Sequence, residues 1–125
     1  INLEKRRRAI NFIDAFKEYP ELKFHRVDSS RHNYHLLTAQ LLNNKRDQFI
    51  REMANQYQVQ CVVQYCPLNR YPLYQKLGLS DAKCPNTDEF FDNMVSFPFQ
   101  HMLSDKELEE IIIAGCDVLS QICAV

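Results

Sequence analysis

Glycine is scarce in this chain: its 125 residues include only Gly78 and Gly115. Average usage near 7% would give about nine glycines at this length. Loops that cradle phosphate need glycine, because only a residue without a Cβ lets the backbone approach the anion or adopt a positive φ freely. The sequence therefore excludes a P-loop, a dinucleotide-binding fingerprint and a collagen repeat. Phosphate recognition would have to come from side chains, from helix N-termini or from another part of a larger polypeptide.

The size and charge of the chain are typical of one globular domain. Hydrophobic residues make up 46% of it, and 15 basic residues nearly balance 16 acidic ones, for a net charge of -1. A dedicated nucleic-acid-binding protein usually carries a strong basic excess, so nucleic acid is not an expected partner. No apolar run approaches the roughly 20 residues that a membrane span needs. We therefore expect a single domain over residues 1–125 with no membrane partner.

Cysteine usage indicates the compartment. The five cysteines are odd in number and include no CxxC pair. This pattern favours reduced thiols and a cytoplasmic location over a disulfide framework. The chain also begins at Ile1 and enters a helical pattern almost at once. We interpret that beginning as the start of a domain taken from a longer protein.

Hydrophobic periodicity predicts alternating short helices and strands in the order α-β-β-α-β-α-α-β-α. A Ser104–Glu107 capping box is expected to start the last helix, Gly78 to end a middle helix in the left-handed conformation, and Gly115 to permit close helix packing. The strand over 34–42 is apolar on both sides and should be central. The fold class is α+β, a small and mainly antiparallel sheet covered by helices. Helices are predicted over 3–18, over 85–94 and from 105 onward, and another runs from a cap at Asn43–Asn44 to residue 57. Strands are predicted at 22–24, 34–42, 58–65 and 95–99, with a turn at 28–30.

Three kinds of chemistry find little support in the sequence. His32 and His35 lie three residues apart on a predicted strand and should point to opposite faces, so no metal site is expected. No GxSxG motif occurs and no cysteine has a histidine beside it, which argues against a catalytic nucleophile. The basic run Lys5–Arg8 could attract a phosphate, but a solvated helix face is the favoured interpretation.

The most unusual segment runs from Gln64 to Tyr74. It follows a predicted strand and contains three tyrosines and two prolines, so it cannot form a long regular element. Tyrosine and amide side chains on a proline-stiffened loop are good hydrogen-bonding and stacking groups. Local chemistry alone leaves two interpretations open, a binding loop and a surface loop with packed aromatic residues.

Four short motifs occur one after another along the second half of the chain. They are Gln-Tyr-Cys-Pro-Leu-Asn at 64–69 with Tyr74, Pro-Asn-Thr-Asp at 85–88, Ser-Phe-Pro at 96–98 and Leu-Ser at 103–104. They resemble the C-terminal small domain of the DegT/DnrJ/EryC1/StrS family of PLP-dependent sugar aminotransferases. That family has His-Tyr-x-Pro-Leu-His followed by Tyr, then Pro-x-Thr-Glu, Ser-Leu-Pro and Leu-Thr. The arginine-rich helix at 7–16 and the segment His32–His35 also resemble the family.

The resemblance implies that residues 1–125 are the C-terminal small domain of a fold-type I enzyme whose PLP-binding large domain lies outside this sequence. It implies a homodimer that transfers an amino group from glutamate to the keto carbon of a nucleotide-diphosphate sugar. Substrate binding would then involve Gln64, Tyr65, Asn69 and Tyr74. No catalytic residue, no metal and no PLP are expected on this chain alone, so the chain by itself should be inactive.

The departures from the family pattern bear on the substrate. Both loop histidines are replaced, by Gln64 and Asn69, and the glutamate is replaced by Asp88. Amides form hydrogen bonds but carry no charge and move no protons, so phosphate should be held more weakly by this loop, or the substrate should differ. A sugar dehydratase of the same family is one alternative. A free-standing small-molecule binding or regulatory domain is another, and a nucleic-acid module that uses Lys5–Arg8 and the tyrosines is a third.

Overall fold

A computed structural model describes residues 2–25 and 31–124, and the turn predicted at 28–30 lies outside these residues. Within the described part, five α-helices, one 3-10 turn and three strands follow one another. In chain order they are α1 (Asn2–Ala15), β1 (Leu22–Phe24), β2 (Leu37–Leu41), α2 (Arg46–Tyr57), the 3-10 turn (Leu68–Arg70), α3 (Pro72–Lys76), α4 (Pro85–Asn93), β3 (Met94–Phe97) and α5 (Asp105–Cys123). The predicted α+β class is confirmed.

The three strands form an antiparallel sheet in the order β1-β2-β3. Leu22 pairs with Leu41 at one edge of β2, and Leu37 pairs with Phe97 at the other. The strand β2 is therefore central, as its two-sided apolar pattern predicts. Its alternate residues are buried and the two residues between them are half-buried, because both faces of a central strand are covered.

Helices α1, α2 and α5 enclose the core on one side of the sheet, with Phe97 at its centre. The Phe97 ring lies 5.1 Å from Phe12, 5.7 Å from Phe16 and 5.8 Å from Phe49, measured between ring centroids. Edge-to-face and tilted rings at these distances add to the free energy gained from burying them. These aromatic contacts join β3, α1 and α2 into one core.

Helix α5 packs tightly because Gly115 lacks a side chain. A Cβ at this position would lie only 2.8 Å from Cζ of Phe16. The helix begins at the predicted capping box, in which the Ser104 hydroxyl accepts from the Glu107 N–H and the Glu107 carboxylate accepts from the Ser104 N–H. Among the described residues, every helix is too short or too polar to span a bilayer.

Two predicted elements around β2 need correction. Only residues 37–41 form the strand, and Tyr34 has a φ of 49°, which an extended strand does not allow. Asn43 and Asn44 do not cap α2; both adopt positive φ and turn the chain after β2, and Lys45 occupies the N-cap position. Asparagine tolerates the left-handed conformation better than most residues, so the same Asn-Asn pair suits a turn as well as a cap.

The strand predicted over 58–65 is also wrong. Gln58 takes the left-handed conformation that ends α2, and the following residues form a single bridge, Val62 to Ser96. The alternation of Val59, Cys61 and Val63 reflects an extended segment packed beside β3 rather than a paired strand. Period-two hydrophobicity reports which side chains face the core, and it does not report whether the backbone has a neighbour to pair with.

Residues 68–93, all of which the structure describes, contain no buried side chain. We call this stretch the loop module; it comprises the 3-10 turn, α3, α4 and their connections. Pro67, directly before it, is buried, and Met94, directly after it, is buried in β3. The loop module therefore leaves the core at one buried residue and returns at another, and it carries most of the predicted binding loop.

Candidate functional site

The four predicted binding residues occupy two different environments. Gln64 and Tyr65 lie in the extended segment before the loop module, joined by a cis peptide bond. The Gln64 N–H donates to Sδ of Met94 at 3.2 Å, which holds this segment against β3. The Tyr65 side chain is 68% exposed. Both residues are thus near the core, with the Tyr65 phenol presented to solvent.

Asn69 and Tyr74 share a shallow cleft within the loop module. The amide nitrogen of Asn69 donates to the carbonyl oxygen of Ala82 at 3.2 Å, which closes the module on itself. The second N–H and the side-chain oxygen of Asn69 remain chemically able to bond a ligand. The cleft is lined by Pro67, Leu68, Asn69, Tyr74, Leu79, Ala82, Cys84 and Thr87. The structure thus brings Asn69 and Tyr74 together, and it places Gln64 and Tyr65 outside this cleft.

Tyr74 is positioned by the short helix α3. Pro72 begins this helix, where its missing N–H costs nothing. Gly78 ends it with a φ of 71°, as predicted, so that the Gly78 N–H bonds to the Gln75 oxygen and the Leu79 N–H bonds to the Tyr74 oxygen. These two bonds form a Schellman motif, which holds one helical turn in a segment that lacks a core of its own.

Arg70, which the motif comparison did not single out, makes the densest set of polar contacts in the loop module. Its Nε donates to Oδ1 of Asp88 at 2.8 Å, and its Nη1 donates to Oδ1 of Asp92 at 2.8 Å. Its guanidinium also lies 5.2 Å from the centroid of the Phe91 ring. Asp88 and Asp92 lie four residues apart on α4, hence on one helix face. That spacing on a predicted helix was the sequence signal for a cation between them.

Hydrogen bonding to Arg70 lowers the pKa of Asp92, and hydrogen bonding to Asp92 raises the pKa of Arg70. Asp88 and Asp92 both form ion pairs with this permanently charged guanidinium. Asp88 stands where the resembling family has glutamate, and here its partner is Arg70. The charge at this position thus serves a contact inside the loop module.

The basic run on α1 is engaged by the residues before and at the start of α5. Arg8 donates to the Leu103 oxygen at 2.7 Å and pairs with Asp105 at 2.9 Å. Arg7 pairs with Glu4 at 2.5 Å, and Lys5 lies over the Phe99 ring. Three of the four basic side chains therefore tie α1 to residues 99–105 or to its own first turn, which explains the run better than a solvated face does.

The prediction that His32 and His35 lie on a strand is wrong, because both residues precede β2. His32 accepts a hydrogen bond from the Tyr34 N–H at 2.9 Å through Nδ1. Within residues 2–25 and 31–124, no three His, Cys, Asp or Glu side chains come together as a metal site would require.

Comparison with known proteins gives a consistent result. The model of the DegT/DnrJ/EryC1/StrS aminotransferase family matches residues 1–114. The spore coat polysaccharide biosynthesis protein SpsC of Bacillus subtilis is 29% identical to this chain over 126 aligned residues, which cover 94% of the chain and 32% of SpsC. The chain thus spans about a third of the length of this curated relative.

Two solved structures show the same fold. PseC of Helicobacter pylori, an aminotransferase involved in pseudoaminic acid biosynthesis, superposes with a TM-score of 0.78 at 19% identity, over 95% of this chain and 33% of PseC. NtdA of Bacillus subtilis, solved with bound PMP, superposes with a TM-score of 0.78 at 15% identity, over 96% of this chain and 28% of NtdA. Since the family model covers most of the sequence and the fold agrees, the chain belongs to the DegT/DnrJ/EryC1/StrS aminotransferase family.

Proposed function

We propose that this chain is the C-terminal small domain of a PLP-dependent aminotransferase that acts on a nucleotide-linked keto-sugar. The observation that carries the proposal is the family match over residues 1–114. SpsC, a curated relative, is named for polysaccharide biosynthesis, and its length leaves room for a large domain outside the matching third. The complete enzyme would use glutamate as amino donor and work as a homodimer.

The side chains of this chain would bind and orient the sugar. Asn69 and Tyr74 line one cleft, so their amide and phenol groups can bond neighbouring hydroxyls of one ligand. Tyr65, which is largely exposed, offers a ring face for stacking. Neutral hydrogen bonds contribute about 0.5–1.5 kcal/mol each, less than charged ones. This loop is therefore suited to sugar hydroxyls more than to the diphosphate.

PLP itself does not fit the cleft of this chain. The residues that line the cleft are apolar or neutral, and they include no lysine for a covalent link and no carboxylate for the pyridine nitrogen. We therefore assign the cofactor, which supplies the amino-transfer chemistry, to the part of the enzyme outside this sequence. The five free thiols support a cytoplasmic location for the whole protein.

The test uses the complete polypeptide encoded around this sequence. Purified with PLP and glutamate, it should aminate dTDP-linked or UDP-linked 4-keto-6-deoxyglucose, detected as an aminosugar by mass spectrometry. The 125-residue chain alone should show neither the visible absorbance of bound PLP nor activity. A reading frame that begins at Ile1, or stoichiometric PLP on the chain alone, would overturn the proposal.

The loop assignment has its own test in the complete enzyme. Replacing Asn69 or Tyr74 by Ala or Phe, respectively, should raise KM for the keto-sugar about three- to tenfold, since each change removes about one hydrogen bond. KM for glutamate should stay constant. The exposed Arg51→Met on α2 is the control. Equal effects on both substrates would contradict a sugar-binding role for the loop.

A further inference from the structure

The loop module reaches its position through polar contacts rather than through a core. None of its residues is buried, and the 3-10 turn, α3 and α4 contribute no side chain to the buried core. A segment of this kind has low local stability unless specific contacts hold it. Specific contacts must therefore set the position of Asn69 and Tyr74 relative to the sheet.

Helix α4 is anchored to the core by Arg46. This residue begins α2, and its Nη1 donates to the carbonyl oxygen of Phe91 at 2.8 Å. Its side chain is only 16% exposed, so the contact is shielded from competing water. Since α4 also continues directly into β3, it is the rigid side of the loop module.

Arg70 then joins the binding loop to α4. It follows Asn69 directly and closes the 3-10 turn, and its guanidinium spans two carboxylates one helical turn apart on α4. Its side chain and that of Asp88 are 34% and 33% exposed, so two-thirds of each is shielded. A planar fork with several donors fixes an orientation as well as a distance, which a lysine cannot do.

We propose that Arg70 is a positioning residue that sets the orientation of Asn69 and Tyr74 for sugar binding. This role rests on the function proposed above. We add that Arg46 links α2 to α4 and that Arg70 links α4 to the loop. Arg70 does not line the cleft, so it would act through the cleft residues. Loss of Arg70 should free the loop without unfolding the core.

The first arm of the test measures amide hydrogen exchange in the complete enzyme. Arg70→Met should speed exchange over residues 68–80 by about five- to tenfold, because charged hydrogen bonds to two carboxylates are lost. Exchange in α1, α2, α5 and the sheet should not change. The double variant Asp88→Asn with Asp92→Asn should have the same effect, and adding Arg70→Met to it should have no further effect. Arg51→Met on α2 is the matched control.

The second arm measures kinetics. Arg70→Met should raise KM for the dTDP- or UDP-linked keto-sugar about five- to tenfold and leave the half-reaction with glutamate unchanged. Arg70→Lys, which keeps the charge but loses the fork, should restore only part of the affinity.

Unchanged exchange over residues 68–80 in Arg70→Met would overturn the positioning role, as would full restoration by Arg70→Lys. An equal rise in KM for both substrates would also overturn it. A wild-type enzyme that aminates neither keto-sugar would contradict the proposed function instead. Exchange would then still decide whether Arg70 holds the loop.

Discussion

The core and the loop module of this small domain are held together by different kinds of interaction. The core buries the rings of Phe12, Phe16 and Phe49 against Phe97 of β3, and α1, α2 and α5 enclose it. The loop module buries no side chain, and its five-residue helix is held by a Schellman motif and by Arg70. Apolar burial favours one compact arrangement without regard to direction, whereas the fork of Arg70 specifies an orientation.

This difference explains where a binding site can change without loss of the fold. Substitutions in the core leave cavities or clashes that destabilise the whole domain. Substitutions in the loop module alter hydrogen bonds at the surface, where most changes have small effects on global stability. Gln64 and Asn69, which replace the family histidines, lie at or next to this tolerant region. The comparison makes five further predictions: three from mutations, in order of decreasing expected effect, and two from thiol chemistry.

Truncating a core ring should be the most damaging change. Phe49→Ala should lower the free energy of unfolding by about 3–5 kcal/mol, because the Phe49 ring is completely buried. Leu73→Ala in the loop module should change it by less than about 0.5 kcal/mol, because Leu73 is 63% exposed. Urea titration of this chain measures both. Comparable losses would mean that the module shares the cooperative unit of the core.

Filling the space at Gly115 should destabilise the core. Gly115→Ala places a Cβ 2.8 Å from Cζ of Phe16, and overpacking costs about 1–3 kcal/mol. The better helix propensity of alanine offsets about 1 kcal/mol of this cost. Thermal and urea unfolding should therefore show a net loss. Combining the change with Phe16→Leu should reduce the cost of the glycine substitution, and an unchanged cost would refute the clash.

Replacing Gly78 should affect only the local stability of the loop module. Gly78→Ala meets no atom within 4 Å, but its φ of 71° costs an L-residue about 1–2 kcal/mol. Amide exchange over residues 72–79 should accelerate while the midpoint of global unfolding stays constant. Gly78→Asn should be milder, since asparagine tolerates this conformation. A drop in global stability equal to the strain would show that the two regions unfold together.

The rate of thiol labelling should differ between the core and the loop module in the unmutated protein. Burial raises the pKa of the Cys61 thiol to about 12, whereas Cys84 in the loop module is exposed. At pH 8, iodoacetamide should label Cys84 rapidly and Cys61 only after denaturation, as mapped by mass spectrometry. Rapid native labelling of Cys61 would contradict its place in the core.

The raised pKa of Cys61 also gives a stability trend with pH. The folded state binds this proton more tightly than the unfolded state does, since an unfolded thiol has a pKa of about 8.5. The stabilisation tied to the neutral thiol is therefore complete below pH of about 8.5, and it is lost as pH rises toward 12. Cys61→Ala should flatten this part of the stability profile.

Much of the fold was predictable from residue patterns. The capping box, the left-handed Gly78, the close approach at Gly115 and the central position of β2 all follow from local chemistry or periodicity. The strand predicted over 58–65 failed because pairing needs a partner backbone, and β3 offers only the bridge at Val62. The Asn43–Asn44 pair failed as a cap because a turn uses the same residue type.

The sequence predicted which segment carries the candidate site, but it did not predict which side chains of that segment lie together. Sequence and family motifs pointed to Gln64, Tyr65, Asn69 and Tyr74 as a group, and their shared role stays a prediction. The structure shows that Asn69 and Tyr74 share a cleft from which Gln64 and Tyr65 are absent. It also shows that Arg70 bridges 18 residues to Asp88 and 22 to Asp92. Contacts over such separations depend on how the helices pack.

The sequence by itself determined the family, the α+β class, the start of α5 and the end of α3, since these depend on residue order, periodicity and local conformational preference. It also excluded glycine-rich phosphate loops, and the structure accordingly gives both glycines structural roles. Only the tertiary structure decided which side chains meet in the cleft and how the loop is attached. The reason is that local preferences act over a few residues, whereas the links through Arg46 and Arg70 form only when distant segments are brought together by the buried core.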